Sequence, residues 1–91
     1  MKDLIIVGAG SFGCEAITLA ELINETTQKW NILGFIDDAK EIGTEVFRGY
    51  KVIGNIKDWT PKLSEYFSFG ISSPQVKEKL FNLLKSKGAT Y

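Results

Sequence analysis

Three groups of residues in this 91-residue chain have the types and spacing to do chemistry. Gly8-Ala9-Gly10-Ser11-Phe12-Gly13 carries the pattern G-x-G-x-x-G, Asp37-Asp38 form an acidic pair, and Gly70-Ile71-Ser72-Ser73-Pro74 form a second glycine-led junction. The first pattern suits an anion. Gly8 allows a tight turn, Gly10 lets backbone approach a phosphate closely, and Gly13 lets a helix pack on a strand. The N–H groups that open the following helix lack intrahelical partners and lie at the positive end of its dipole, so a phosphate is a natural guest. The acidic pair falls 24 residues after Gly13, near the ~20 expected of an acid that accepts hydrogen bonds from ribose hydroxyls. Asp37, nearer the strand tip, is the better placed for that role; Asp38 suits a turn equally well. On the residues alone, a glycine turn used for packing and two aspartates that open a loop remain the alternatives.

These groups need elements to position them. Leu4-Ile5-Ile6-Val7 reads as a strand covered on both faces, as in a parallel sheet. Cys14 to about Thr26 reads as a helix with Ala16, Leu19, Ala20 and Ile23 facing the sheet and Glu15 in the first turn. Trp30 to Ile36 is a second strand that stops at Asp37-Asp38 and closes a βαβ unit. Residues 39–50 hold no sustained period and read as irregular, with Arg48, the only arginine, as a solvated loop residue. Tyr50 to Gly54 is a short strand. Asn55 to Trp59 is a turn or short helix interrupted by Pro61, with Trp59 as a packing aromatic. Glu65 to Ile71 is another strand, after which Ser73 is expected to cap a helix and Pro74 to be its first residue. That helix turns Val76, Leu80, Leu83 and Leu84 inward, carries Lys85 and Lys87 in its last turn, and stops at Gly88. Ala89-Thr90-Tyr91 reads as the start of a further strand.

Composition excludes several classes. Eleven basic and eleven acidic residues cancel with no block of like charge, which leaves no electrostatic footprint for nucleic acid or an anionic membrane. Cys14 is the single cysteine, so no internal disulfide exists, and it reads as a small packing residue. With no histidine, neither a Cys/His metal cluster nor a histidine general base can be assembled. No metal site and no catalytic residue are assigned. No apolar run approaches the roughly 20 residues of a membrane span, and the first residues lack the form of a signal peptide, so a cytoplasmic domain is expected.

Taken in order, the segments Leu4 to Glu15, Leu33 to Asp38 and Gly49 to Gly54, with Phe67 to Ile71 and Lys87-Gly88-Ala89, resemble the amino-terminal domain of the sugar O- and N-acyltransferases. That family includes sialic acid acetyltransferases and the bacterial enzymes that acetylate UDP-4-amino-sugars. The resemblance implies an α/β fold, a small Rossmann-like open parallel sheet of about four strands with flanking helices, filling residues 1–91 as one domain. It further implies binding of a UDP-sugar by Gly8, Gly10, Ser11, Phe12, Gly13, Asp37, Asp38, Gly70 and Ile71. In the family a left-handed β-helix, absent from this chain, forms a homotrimer, binds acetyl-CoA and carries the catalytic histidine. This chain would then bind but not catalyse, and hold no cofactor of its own. The family often has glycine at the position of Ser11 and a basic residue at that of Cys14. The serine adds a hydroxyl donor and the cysteine removes a phosphate partner.

Two other readings stay open. An NAD-binding domain of an oxidoreductase would use the same fingerprint and Asp37 for an adenosine ribose. A non-catalytic interaction domain would use the glycine loop only for packing.

Overall fold

The computed structural model describes residues 2–89. The elements in chain order are β1 (Lys2–Val7), α1 (Ser11–Thr27), β2 (Trp30–Ile36), β3 (Glu45–Phe47), β4 (Tyr50–Gly54), β5 (Glu65–Phe69) and α2 (Pro74–Ser86). They form one five-stranded sheet of order β3-β4-β2-β1-β5. β1, β2, β4 and β5 run parallel, and only β3 is antiparallel to its neighbour. The parallel strands are the expected four, and the α/β Rossmann-like arrangement holds.

β1 lies in the middle because its side chains serve two layers. Leu4 and Ile6 pack with Ile17 and Ala20 of α1 and with Phe35. Ile5 and Val7 pack with Leu84 of α2, Ile36, Ile56 and Phe67. A strand alternates its side chains between faces, so an unbroken apolar run is the signature of a strand sandwiched between helices. The chain moves from β1 to β2 and then β4 on one side, and returns to place β5 on the other. The order therefore reverses between β1 and β5. In open α/β sheets such a switch point leaves a crevice at the carboxyl ends of the strands.

Several local expectations change. α1 begins at Ser11, three residues earlier than the periodicity indicates, so Glu15 lies beyond the first turn, which holds no acidic residue. The buried stripe of α1 is Gly13, Ile17 and Ala20, whereas Leu19 and Ile23 are 62% and 42% exposed. Gly13, Ile17 and Ala20, spaced by four and then three residues, share one face of the helix, and Leu19 and Ile23 fall on its flank. Residues 39–50 are not all irregular: β3 pairs with β4 across Arg48-Gly49, whose φ values of 52° and 86° are those of a tight hairpin turn. Arg48 is not merely solvated, since its Nε lies 2.7 Å from Glu21 Oε1 on α1. β5 ends at Phe69, two residues before the expected limit. The expected stripe of α2 is buried fully only at Leu84, and Val76 is exposed.

Other expectations hold. Ser73 caps α2 by accepting a hydrogen bond from the Val76 N–H, with Pro74 as the first helical residue. Trp59 packs against Gly54, where a Cβ would stand 2.6 Å from its ring. The expected strand at Ala89-Thr90-Tyr91 extends outside the described residues. Among the described residues no helix is long and apolar enough to cross a membrane.

Candidate functional site

Strand register decides what meets at the switch point. Val7 pairs with Ile36 on one side and with Phe69 on the other, and Ile36 pairs with Gly54. The next residues, Gly8, Asp37 and Gly70, therefore emerge in a row along one edge of the sheet. Ladder bonds continue into that row: the Gly8 N–H donates to the Ile36 carbonyl at 2.9 Å, the Asp37 N–H to the Gly54 carbonyl at 3.1 Å, and the Gly70 N–H to the Val7 carbonyl at 2.8 Å. All three sequence-singled groups thus converge on one edge.

Within the row the glycines divide into two kinds. Gly8 has φ +98°, a conformation that L side chains rarely adopt. A Cβ on Gly13 would stand 2.2 Å from the Gly8 carbonyl oxygen, and one on Gly70 would stand 2.3 Å from the Gly13 Cα. Gly8, Gly13 and Gly70 therefore interlock backbone to backbone, seating the start of α1 between β1 and β5. Ile71 closes this cluster, its Cγ1 lying 2.9 Å from where a Gly8 Cβ would be. Gly10 differs. It is exposed, nothing lies within 4 Å of a Cβ built on it, and it is the N-cap of α1 without any side-chain cap. Ser11 and Phe12, the first two helical residues, are exposed beside it, Phe12 to 52%. The open part of the motif is thus Gly10-Ser11-Phe12, and the packing part is Gly8, Gly13, Gly70 and Ile71.

The acidic pair is engaged with backbone. Asp37 Oδ2 accepts from the Ala9 N–H at 2.8 Å, and Oδ1 accepts from the Ala39 N–H at 2.7 Å. Asp38 Oδ1 accepts from the Ile56 N–H at 2.6 Å and from the Lys57 N–H at 3.4 Å. Asp37 ties the glycine loop to the segment after β2, and Asp38 ties that segment to the turn after β4. Beside Asp38, a groove of about 580 Å³ runs between Lys57 and α2, with Val76, Leu80 and Leu83 as its apolar side and Lys79 at its rim. Reading in sequence did not anticipate this groove, because its walls come from three separated segments. Cys14 is half-buried on α1 directly after Gly13, and among the described residues no cluster of His, Cys, Asp and Glu could hold a metal ion.

Glu65 is a further polar residue that sequence reasoning passed over. It is 4% exposed, and its Oε1 accepts from the Trp59 indole N–H at 3.2 Å and from the Lys62 N–H at 3.0 Å. It lies at the start of β5, at the opposite end of the sheet from the row, so its role is to hold the 59–65 loop.

Comparison with curated proteins finds no match. Residues 3–84 do match the family model described as the PglD N-terminal domain, nearly the whole described chain, and the protein belongs to that family.

Proposed function

We propose that the carboxyl edge of β1, β2 and β5 binds a UDP-sugar for acetyl transfer from acetyl-CoA, the acetyl step being carried out by the family's β-helix. The observation that carries the reading is the uncapped, open start of α1 at Gly10, standing in one row with the acidic pair. A diphosphate accepts hydrogen bonds from helix N-terminal N–H groups and is favoured by the dipole. Ser11 can add a hydroxyl donor. The acidic pair lies where a ribose would follow, and the groove between Lys57 and α2 offers an apolar wall for the flat face of a base. Gly8, Gly13, Gly70 and Ile71 act by holding the loop in place. Lacking histidine, this chain supplies recognition, and general-base chemistry belongs to the β-helix.

Calorimetric and thermal-shift titrations with UDP, a UDP-amino-sugar, NAD and acetyl-CoA at matched concentrations test this directly. A ligand that binds only the folded state raises its apparent stability, by about 2.7 kcal/mol at a hundredfold excess over Kd. Stabilisation by the two uridine compounds alone is expected. Stabilisation by NAD alone would overturn the proposal in favour of a dinucleotide site, and no response to any of the four would favour an interaction domain.

A further inference from the structure

We propose that Asp37 is a positioning residue that presets the anion-binding loop, with its carboxylate bridging the Ala9 and Ala39 N–H groups. The inference rests on the nucleotide-sugar reading for its ligand, while the clamp itself stands on geometry. Both carboxylate oxygens are committed to backbone, at 2.8 Å to Ala9 and 2.7 Å to Ala39. The aspartate is held from its own backbone too, by the bond from its N–H to the Gly54 carbonyl. It is therefore anchored in the sheet at one end and grips the loop at the other.

What it grips is the short link that leads from β1 into α1. Gly8-Ala9-Gly10 joins β1 to α1, and two of its three residues are glycines, which have the most conformational freedom to lose on ordering. Gly8 is fixed by its ladder bond and by packing under Gly13 and Ile71. Gly10 has no contact where a Cβ would be and no side-chain cap. Ala9 lies between them, and fixing its N–H fixes the Gly8–Ala9 peptide plane, from which the chain passes through Ala9 to Gly10. A loop ordered before binding does not lose that entropy when the ligand arrives, so affinity for the anion itself depends on a residue that need not touch it. The same grip reaches Ala39, two residues on, in the manner of an aspartate turn.

A ribose ligand and a loop clamp predict different outcomes when the ribose is left out. The 91-residue chain, Asp37→Asn and Asp37→Ala are titrated with inorganic pyrophosphate and with UDP by NMR, and amide hydrogen exchange is followed at Ala9. Asp37→Ala is expected to speed Ala9 exchange and to weaken both ligands by the same factor, about tenfold, as suits the loss of one charge-assisted hydrogen bond. Asp37→Asn, nearly isosteric and retaining one acceptor oxygen, should fall between and carries the test if the alanine variant does not fold. Loss of UDP affinity with pyrophosphate binding unchanged would overturn the proposal and leave Asp37 a ribose ligand alone. Unchanged Ala9 exchange would overturn the clamp itself. A wild-type chain that binds neither compound would remove the nucleotide reading, yet Ala9 exchange would still decide whether the clamp exists.

Discussion

Gly13→Ala and Gly10→Ala change the same motif, and opposite outcomes are expected. A methyl on Gly13 would lie 2.2 Å from the Gly8 carbonyl oxygen and 3.1 Å from Phe35 Cε1. The first distance is more than 1 Å short of an ordinary contact of about 3.5 Å. The obstructing atom is backbone, held in the row by the Gly8 ladder bond, so α1 has to lift from the sheet and loosen Ile17 and Ala20 beneath it. Overpacking of this kind costs about 3 kcal/mol, at the upper end of the usual range. Alanine is the better helix former by about 1 kcal/mol, which offsets part of it. The net loss is about 2 kcal/mol, from a total of roughly 5–14 kcal/mol for a domain of this length. For a chain under 100 residues that lowers Tm by roughly 8–16 °C. Gly10 has open space around its Cβ position and φ −92°, so Gly10→Ala loses only the modest advantage of glycine at an N-cap, under about 1 kcal/mol. Urea denaturation followed by circular dichroism, with thermal melts alongside, measures both. A Gly13→Ala variant as stable as wild type, or a Gly10→Ala variant that loses more, would refute the division of the motif into packing and open glycines.

Two further outcomes follow from polar groups away from the row. Glu65→Ala leaves the Trp59 indole N–H and the Lys62 N–H without their acceptor, and should cost about 3 kcal/mol. Because both donors converge on Oε1, Glu65→Gln can keep its amide oxygen there and should lose under about 1 kcal/mol; comparable losses in the two variants would refute the assignment. Burial, and then the charge and hydrogen bond of Glu21, raise the pKa of Tyr50. The folded state therefore keeps its phenolic proton at a pH where the unfolded chain has lost it, so stability falls as pH rises above about 10. Tyr50→Phe should remove this part of the alkaline loss, as read by denaturation midpoints at pH 9 to 11, and an unchanged profile would count against it.

The strand–loop–helix start was legible because its signals are local. Four apolar residues before Gly8, three of them β-branched, read as a strand buried on both faces, and Ser73-Pro74 can be read as a helix start without knowing what the helix packs on. β3 was not legible. Its three residues carry no period of their own, and the hairpin turn uses Arg48-Gly49 rather than the asparagine- or aspartate-glycine pairs that announce such turns. Arg48 is exposed in its loop as its type suggests, but its ion pair was not legible, because its partner, Glu21, lies 27 residues earlier on α1, a distance over which sequence carries no signal of contact.

An α/β domain with a glycine loop and an acidic pair after successive parallel strands is legible from the chain alone, as is the absence of histidine from these 91 residues. Those conclusions depend on residue type and short-range periodicity, which survive without coordinates. The contacts that each of these residues makes are set by the tertiary fold. Strand register sets Gly8, Asp37 and Gly70 side by side, close packing makes Gly8, Gly13 and Gly70 structural while Gly10 stays open, and the Asp37 carboxylate is found gripping the loop across 28 residues of chain. Spacing can bring a carboxylate to a strand end. Which donors its oxygens meet depends on the path of the backbone around them, and that path is settled by the whole sheet.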